Sequence, residues 1–284
     1  ATYNDNAGSG YAFTGYGQVT DQFDVLAYYN AVQRDNYDVG KGKIRDANGA
    51  EIPGTDGEVR GLEGDVDDAL LKLGWDISAN QRLEFGYETY QDEGDYSYRP
   101  DMGLATDLAI TNNLQIPLLW PTEFSRDTFT LNYDSAWAEH STLKLAVFRN
   151  ESVLERDESG WAQNPAWISS AGFISGEADN TGANVIAESQ LGNHTLTYGG
   201  EIIDYETEYE AVYLSGDVDR SGEEATNHAL YVQDRIVFGP IALIPGLRYS
   251  SYDIDSAVVD DSYSEVTGAL AAEWEVTPTF LTKL

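Results

Sequence analysis

The chain has 284 residues, of which 42% are hydrophobic and none is cysteine, so disulfide scaffolds and cysteine-based zinc sites are excluded. Sixteen basic and 49 acidic residues give a net charge of −33, which argues against a nucleic-acid partner because such a field repels phosphates. The sequence contains no apolar run of about 18 residues, so a membrane-spanning helix is excluded. Its 19 Tyr, 9 Phe and 6 Trp argue against disorder and favour a β-rich fold.

Alternation of apolar and polar residues with a period of two recurs along the chain and predicts strands. Residues 69–77 carry Ala, Leu, Leu, Trp and Ile at the odd positions, whereas Lys72 and Asp76 fall at even positions. Similar patterns cover residues 82–91, 126–133 and 265–276. We therefore expect sheets with one apolar and one charged face.

The predicted connections alternate in length, which indicates hairpins that are tight at one end and long at the other. Short turns are expected at 20–24, 78–81, 137–141, 192–193, 239–240 and 277–278. Long polar loops are expected at 34–64, 93–123, 154–179, 209–223 and 255–260. These turns and loops divide the chain into about twelve strands. Compact soluble domains rarely contain so many long loops, whereas outer-membrane β-barrels have short periplasmic turns and long extracellular loops.

Aromatic placement favours the membrane barrel over a soluble β-sandwich, which would also show alternation. Trp75, Trp137 and Trp274 all lie at the short-turn ends of their strands. An interfacial girdle of aromatic residues is expected at that level in a barrel.

Several short strings resemble TonB-dependent outer-membrane receptors, the family that imports ferric siderophores, haem and cobalamin. They are residues 23–29 (FDVLAYY), 72–75 (KLGW), 126–133 (RDTFTLNY) and, most specifically, 231–238 (YVQDRIVF) followed by 244–249 (IPGLRY). The resemblance implies a 22-stranded antiparallel up-and-down barrel in the bacterial outer membrane. It also implies an N-terminal plug domain and energy from a TonB complex that acts on the N-terminal region. Residues 1–284 would form the middle of the barrel only, with the plug and the C-terminal strands absent.

The sequence shows no catalytic constellation, so no enzymatic activity, cofactor or metal site is expected. His228 lies near the long-loop end of its predicted strand, which makes it the one candidate haem ligand; a solvated strand-end histidine is the alternative. Residues 217–222 (DVDRSG) match the start of a calcium-binding loop, but the twelfth position is His228 instead of glutamate.

A ligand surface is expected in the long loops, where aromatic residues and an arginine occur together. Chelated iron complexes are flat and often anionic, so aromatic faces and a guanidinium would suit them. The candidate residues are Tyr96, Tyr98, Arg99, Trp120, Trp161 and Trp167. The alternative is that these side chains pack loop against loop.

The function expected from the resemblance is binding and active import of a ferric siderophore or another metal chelate. The lipid bilayer, lipopolysaccharide and the TonB complex would be the other partners. Polar residues such as Lys72, Arg82, Glu84 and Arg126 would face the lumen and the plug. Two alternatives remain open at this point: a passive diffusion porin, and a soluble β-rich carbohydrate-binding protein.

Overall fold

The computed structural model describes residues 2–4, 8–38, 45, 48–51, 58–97, 113, 115, 117, 119–138 and 140–283. Almost all of its regular structure is β. The strands are β1 Thr2–Asn4, β2 Gly8–Thr20, β3 Phe23–Arg34, β4 Tyr37–Asp38, β5 Glu58–Val59, β6 Gly64–Ser78, β7 Gln81–Ser97, β8 Leu119–Ala138, β9 Ser141–Asp157, β10 Ala171–Leu191, β11 His194–Tyr213, β12 Val218–Phe238, β13 Ile241–Ser256, β14 Asp260–Thr277 and β15 Phe280–Lys283. Two short 3₁₀ helices, Ser159–Gln163 and Pro165–Trp167, connect β9 to β10.

Thirteen of these strands form a single antiparallel sheet in which each strand pairs with the next one along the chain. The exceptions are β4 and β5, which pair only with each other in the connection between β3 and β6. The described part of the chain therefore forms one up-and-down sheet, and the predicted fold is confirmed. A sandwich, which needs two sheets packed face to face, is wrong.

Short turns and longer connections lie at opposite ends of the sheet, as the sequence predicts. Two-residue connections occur at 21–22, 79–80, 192–193, 239–240 and 278–279. Gly192 and Gly239 adopt positive φ values of 65° and 62°, a conformation that glycine tolerates without steric cost in tight hairpins.

Some of the segments expected to be long loops are strand instead. β11 and β12 are separated only by residues 214–217, and β13 and β14 only by 257–259. The prediction failed at 218–223 because β12 continues there with mostly polar residues on both faces, while the backbone ladder stays intact. Residues 218–222 of the partial calcium-loop match also lie on β12, which begins at Val218.

Among the described residues, no helix is both long and apolar enough to cross a membrane.

The two faces of the sheet differ sharply in chemistry. One face, called here the apolar face, exposes large hydrophobic side chains such as Leu71, Leu73 and Leu131. The polar face carries ion pairs between strands: Lys72 Nζ lies 3.3 Å from Glu84 Oε1, and Arg82 Nη1 lies 2.7 Å from Asp24 Oδ2. An exposed apolar area of this size is typical of a surface that contacts a membrane or another protein. The predicted separation of Leu71 from Lys72, Arg82 and Glu84 is confirmed.

Towards the long-loop end, the apolar face becomes strongly acidic. Register partners share a face, so a hydrogen-bonded row across the sheet can be followed from strand to strand. One such row, called here the acidic row, has an acidic residue on each strand from β8 to β14: Asp127, Glu151, Asp179, Glu206, Glu224, Asp255 and Asp260. Arg149 forms ion pairs with Glu151 and Asp179 and so reduces the charge repulsion at one end of the row.

Salt should stabilise this sheet through the acidic row. Like charges directly opposite each other cost up to about 1 kcal/mol per pair. Raising salt from about 0.01 M to about 1 M shortens the screening length from about 30 Å to about 3 Å. We expect the denaturant midpoint for unfolding from lipid vesicles to rise over that range. The midpoint of the double variant Glu206→Gln, Glu224→Gln should depend less on salt. An equal salt dependence in wild type and the double variant would show that the effect does not come from the acidic row.

Candidate functional site

Tyr96 and Trp120 are brought together at the long-loop end of the polar face. They are direct register partners on β7 and β8, so their side chains leave the sheet side by side. Trp120 shares its face with Arg126, because the pairing of β7 with β8 runs without a register shift. Two of the predicted ligand residues thus lie on the same face as the ion pairs.

The connection between β9 and β10 folds over Trp120 and carries the other two tryptophans. The ring centroids of Trp120 and Trp161 are 5.6 Å apart, and those of Trp161 and Trp167 are 5.2 Å apart. Trp120 is 1% exposed and Trp161 7%, whereas Trp167 is 37% exposed. Leu214, beyond the end of β11, packs against the buried pair. Four of the six predicted site residues therefore form one cluster, called here the aromatic cluster: Tyr96, Trp120, Trp161 and Trp167.

Hydrogen bonds fix the shape of the connection that carries Trp161 and Trp167. The indole N–H of Trp161 donates to Glu158 Oε2 at 3.1 Å. The backbone N–H groups of Asn164 and Trp167 donate to the carbonyl oxygens of Trp161 and Asn164, at 3.1 and 2.9 Å. These bonds satisfy the backbone of the two 3₁₀ turns locally, so the tryptophan rings have defined positions before any ligand arrives.

Arg34 and Asp92 join Tyr96 in a network that the sequence analysis missed. The guanidinium of Arg34 donates to both the carboxylate of Asp92 and the hydroxyl oxygen of Tyr96, and the Tyr96 hydroxyl donates to Asp92. Arg34 lies on β3, separated from β7 by β6. The Arg34 side chain crosses β6 at Gly64. A Cβ at that position would lie 2.9 Å from the guanidinium, so the glycine leaves room for it. The one feature of the sequence that could have indicated this contact is Gly64, which begins the charged strand β6 and leaves room for the guanidinium.

Three acidic groups near the aromatic cluster, Asp92, Glu88 and Glu158, are paired with arginines. Arg126 Nη2 lies 2.6 Å from Glu88 Oε1, and Arg156 Nη1 lies 3.7 Å from Glu158 Oε1. Burial raises the pKa of Tyr96, which lies beyond the apolar part of β7, to about 12, so its phenol stays neutral at physiological pH. Arginines thus offset part of the negative charge at the mouth of the polar face.

Two predicted site residues, Tyr98 and Arg99, lie outside the residues that the structure describes. Within the described residues, the side chain of the aromatic cluster that is most open to solvent is that of Trp167. It is the member best placed for stacking on a planar ligand, with Trp161 and Trp120 supporting it from behind.

The prediction that His228 lies near the loop end of its strand is wrong. His228 is in the middle of β12, ten residues from both Val218 and Phe238. Its register partner is Ile202, which is exposed on the apolar face. His228 therefore points away from the aromatic cluster and is not a candidate for binding haem there. In the described part of the chain, no group of three His, Asp or Glu side chains is arranged to hold a metal ion.

Comparison with protein families finds a match to the model described as "TonB dependent receptor-like, beta-barrel" over residues 74–283. Comparison with curated protein sequences finds no significant match.

Three solved structures with a similar fold are each much longer than this chain. The FrpB iron transporter from Neisseria meningitidis (F3-3 variant) superposes with a TM-score of 0.71 at 18% identity, covering 99% of this chain and 45% of its own. The copper transporter OprC gives 0.67 at 12% identity, covering 96% and 41%. The ferric enterobactin receptor PfeA (mutant G324V) from Pseudomonas aeruginosa gives 0.64 at 16% identity, covering 99% and 41%. The chain thus spans less than half the length of these proteins.

Proposed function

Because the chain belongs to the TonB-dependent receptor-like β-barrel family, we propose that it is the barrel segment of a receptor that binds and actively imports a ferric siderophore or a similar metal chelate. Its location is the bacterial outer membrane, where its apolar face meets lipid. The observation that carries the proposal is the aromatic cluster at the long-loop end of the polar face. The proposal assigns no enzymatic chemistry to the chain.

Residues 1–284 are proposed to be the middle of a larger barrel. The sheet ends in β1 on one side and β15 on the other, and both edges need partner strands because lipid cannot satisfy open backbone groups. Further strands and an N-terminal plug would complete the receptor, and the TonB complex would act on the region before the plug. The ion pairs of Lys72, Arg82, Glu84 and Arg126 lie on the face that would meet that plug.

The ligand-binding role is assigned by exposure and chemistry. Trp167 supplies an open aromatic face, and Tyr96 supplies a hydroxyl held by Arg34. Trp120 and Trp161 support Trp167 through the ring contacts already described. Tyr98 and Arg99 complete the proposed set, with Arg99 suited to the carboxylate or catecholate groups of an iron chelate.

The distribution of charge supports an anionic or neutral chelate in spite of the net charge of −33. The acidic row lies on the opposite face of the sheet, while Asp92, Glu88 and Glu158 near the aromatic cluster are paired with arginines. The acidic row therefore faces outward, where divalent cations would bridge it to lipopolysaccharide, which we propose as a further partner. An approaching chelate meets an aromatic surface whose nearby negative charge is partly offset by arginines.

Iron accumulation by Gram-negative cells tests the import proposal. Cells expressing the complete coding sequence are supplied with radiolabelled ferric catecholate, ferric hydroxamate or ferric citrate. Accumulation from at least one chelate should exceed the vector control and disappear in a strain that lacks TonB. Equal accumulation without TonB, together with steady conductance in a planar bilayer, would indicate a passive porin instead. No accumulation from any of the three would contradict iron import.

Replacing Trp167 with alanine should weaken binding of the imported chelate about tenfold, because a central aromatic contact contributes more than about 1 kcal/mol to binding. Quenching of tryptophan fluorescence by the chelate measures the affinity. Trp137→Ala is the matched control, since Trp137 is 51% exposed at the short-turn end of the sheet. If both variants bind as wild type does, Trp167 is not a ligand contact.

A further inference from the structure

A recess interrupts the apolar face between β9 and β13, away from the aromatic cluster. Its volume is about 410 Å³. Ala183 and Gly200 form its floor, and Leu145, Val185, Leu230 and Tyr249 form its walls. Register accounts for the arrangement, because Gly200 is the partner of both Val185 and Leu230, and Leu230 is the partner of Tyr249.

The recess exists because two small residues occupy positions where neighbouring strands carry large ones. Gly200 is buried although it lies on the exposed face of the sheet. An added Cβ at Gly200 would lie 2.8 Å from Leu230 Cδ2, so the Leu230 side chain leans over the floor and narrows the opening. The result is an apolar recess among larger side chains.

Depth in the membrane follows from position along the strands. Leu230 lies eight residues before Phe238, the last residue of β12 at the short-turn end. A barrel strand crosses the hydrocarbon core in about 9–11 residues, so the recess is in the half nearer the long loops. That half belongs to the outer leaflet.

The recess is polar at one end only. His228 lines it at the end nearer the long loops. The next outward-facing position on β12 is Thr226, whose hydroxyl donates to Asp204 at 2.8 Å. Glu224, a member of the acidic row, follows two residues further on. Going towards the loops, the surface therefore passes from apolar to hydrogen-bonding to acidic, and its first two parts match the acyl and ester groups of a membrane lipid.

We propose that this recess binds one acyl chain of an outer-leaflet lipid, with the polar end of that lipid at His228 and Thr226. The recess is continuous with the lipid-covered apolar face, and Leu145, Val185 and Leu230 give it apolar walls. A second copy of the chain is a poor occupant. A two-fold contact centred on the recess would bring Asp204 and Glu224 of both copies face to face, and directly opposed like charges are unfavourable.

Native mass spectrometry of the full-length protein in detergent tests the proposal, with dioleoyl phosphatidylethanolamine as the probe. Ala183→Phe fills the recess, and Ala27→Phe makes the same change at an exposed position of the apolar face on β3. Wild type and Ala27→Phe should bind a first lipid with equal affinity. Ala183→Phe should bind it about tenfold more weakly, because the chain loses its apolar contacts.

Equal lipid binding by Ala183→Phe and Ala27→Phe would overturn the proposal, since the recess would then hold only exchanging annular lipid. Loss of a protein dimer in Ala183→Phe, with lipid binding unchanged, would also overturn it in favour of contact between two copies. Leu230→Ala serves where the bulkier variant does not fold: it removes one wall at an exposed site. Weaker first-lipid binding by Leu230→Ala supports the proposal, and unchanged binding contradicts it.

Discussion

Replacing Leu71 with arginine is expected to lower the free energy of unfolding from lipid vesicles by about 2–4 kcal/mol, the cost of a cation near the bilayer midplane on the lipid face of a barrel. Leu71 is exposed on the apolar face of β6, between its register partners Ala27 and Tyr87. The denaturant midpoint of the full-length protein in vesicles measures the change.

Leu70→Arg is the matched control for this prediction. Leu70 is next in sequence but lies on the polar face, with Tyr28 and Glu88 as register partners. An arginine there would face a carboxylate and should cost much less. Lys72→Ala should also cost little, because the exposed Lys72–Glu84 pair contributes about 0–1 kcal/mol. Equal midpoints for Leu71→Arg, Leu70→Arg and wild type would place Leu71 away from lipid.

Trp120→Ala is expected to cost about 3–5 kcal/mol in the local stability of residues 158–170, because truncating a fully buried tryptophan leaves a large cavity. Trp161 would lose the ring that it packs on, and the two 3₁₀ turns would open more often. Hydrogen exchange of the Asn164 and Trp167 amides, both hydrogen-bonded within this connection, reports the opening.

The conservative variant Trp120→Phe should show only part of this increase in exchange, because phenylalanine retains an aromatic contact with Trp161. Exchange of the β6 amides should not change in either variant, since β7 separates that strand from β8, which carries Trp120. Amide protection at Asn164 that is the same in Trp120→Ala and wild type would mean that the connection does not depend on Trp120.

The strands that cross the membrane could be predicted from the sequence because apolar and polar residues alternate along them. Leu71, Leu73 and Trp75 are separated by polar or small residues, and this pattern gave the correct faces of β6 and β7. Above the membrane both faces of a strand meet water, so alternation disappears while the ladder continues. That is why residues 218–223, the extension of β12, were mistaken for part of a loop.

Only part of the candidate site could be predicted from the sequence. Aromatic residues in the connections indicated Tyr96, Trp120, Trp161 and Trp167, but exposure depends on which loop folds over which strand. Arg34 was missed because its partners lie two strands away, and only the register of β3, β6 and β7 brings them together. His228 was placed incorrectly because the preceding loop was predicted to extend to residue 223, whereas β12 already begins at Val218.

The coding sequence on either side of this segment tests the central claim most directly. A larger plugged receptor requires a signal peptide and a globular region of ordinary domain size upstream. It also requires about ten more alternating strands downstream, as expected for a 22-stranded member of the family. A start codon immediately before Ala1 and a stop codon immediately after Leu284 would contradict the claim, and the protein would then be a small barrel without a plug.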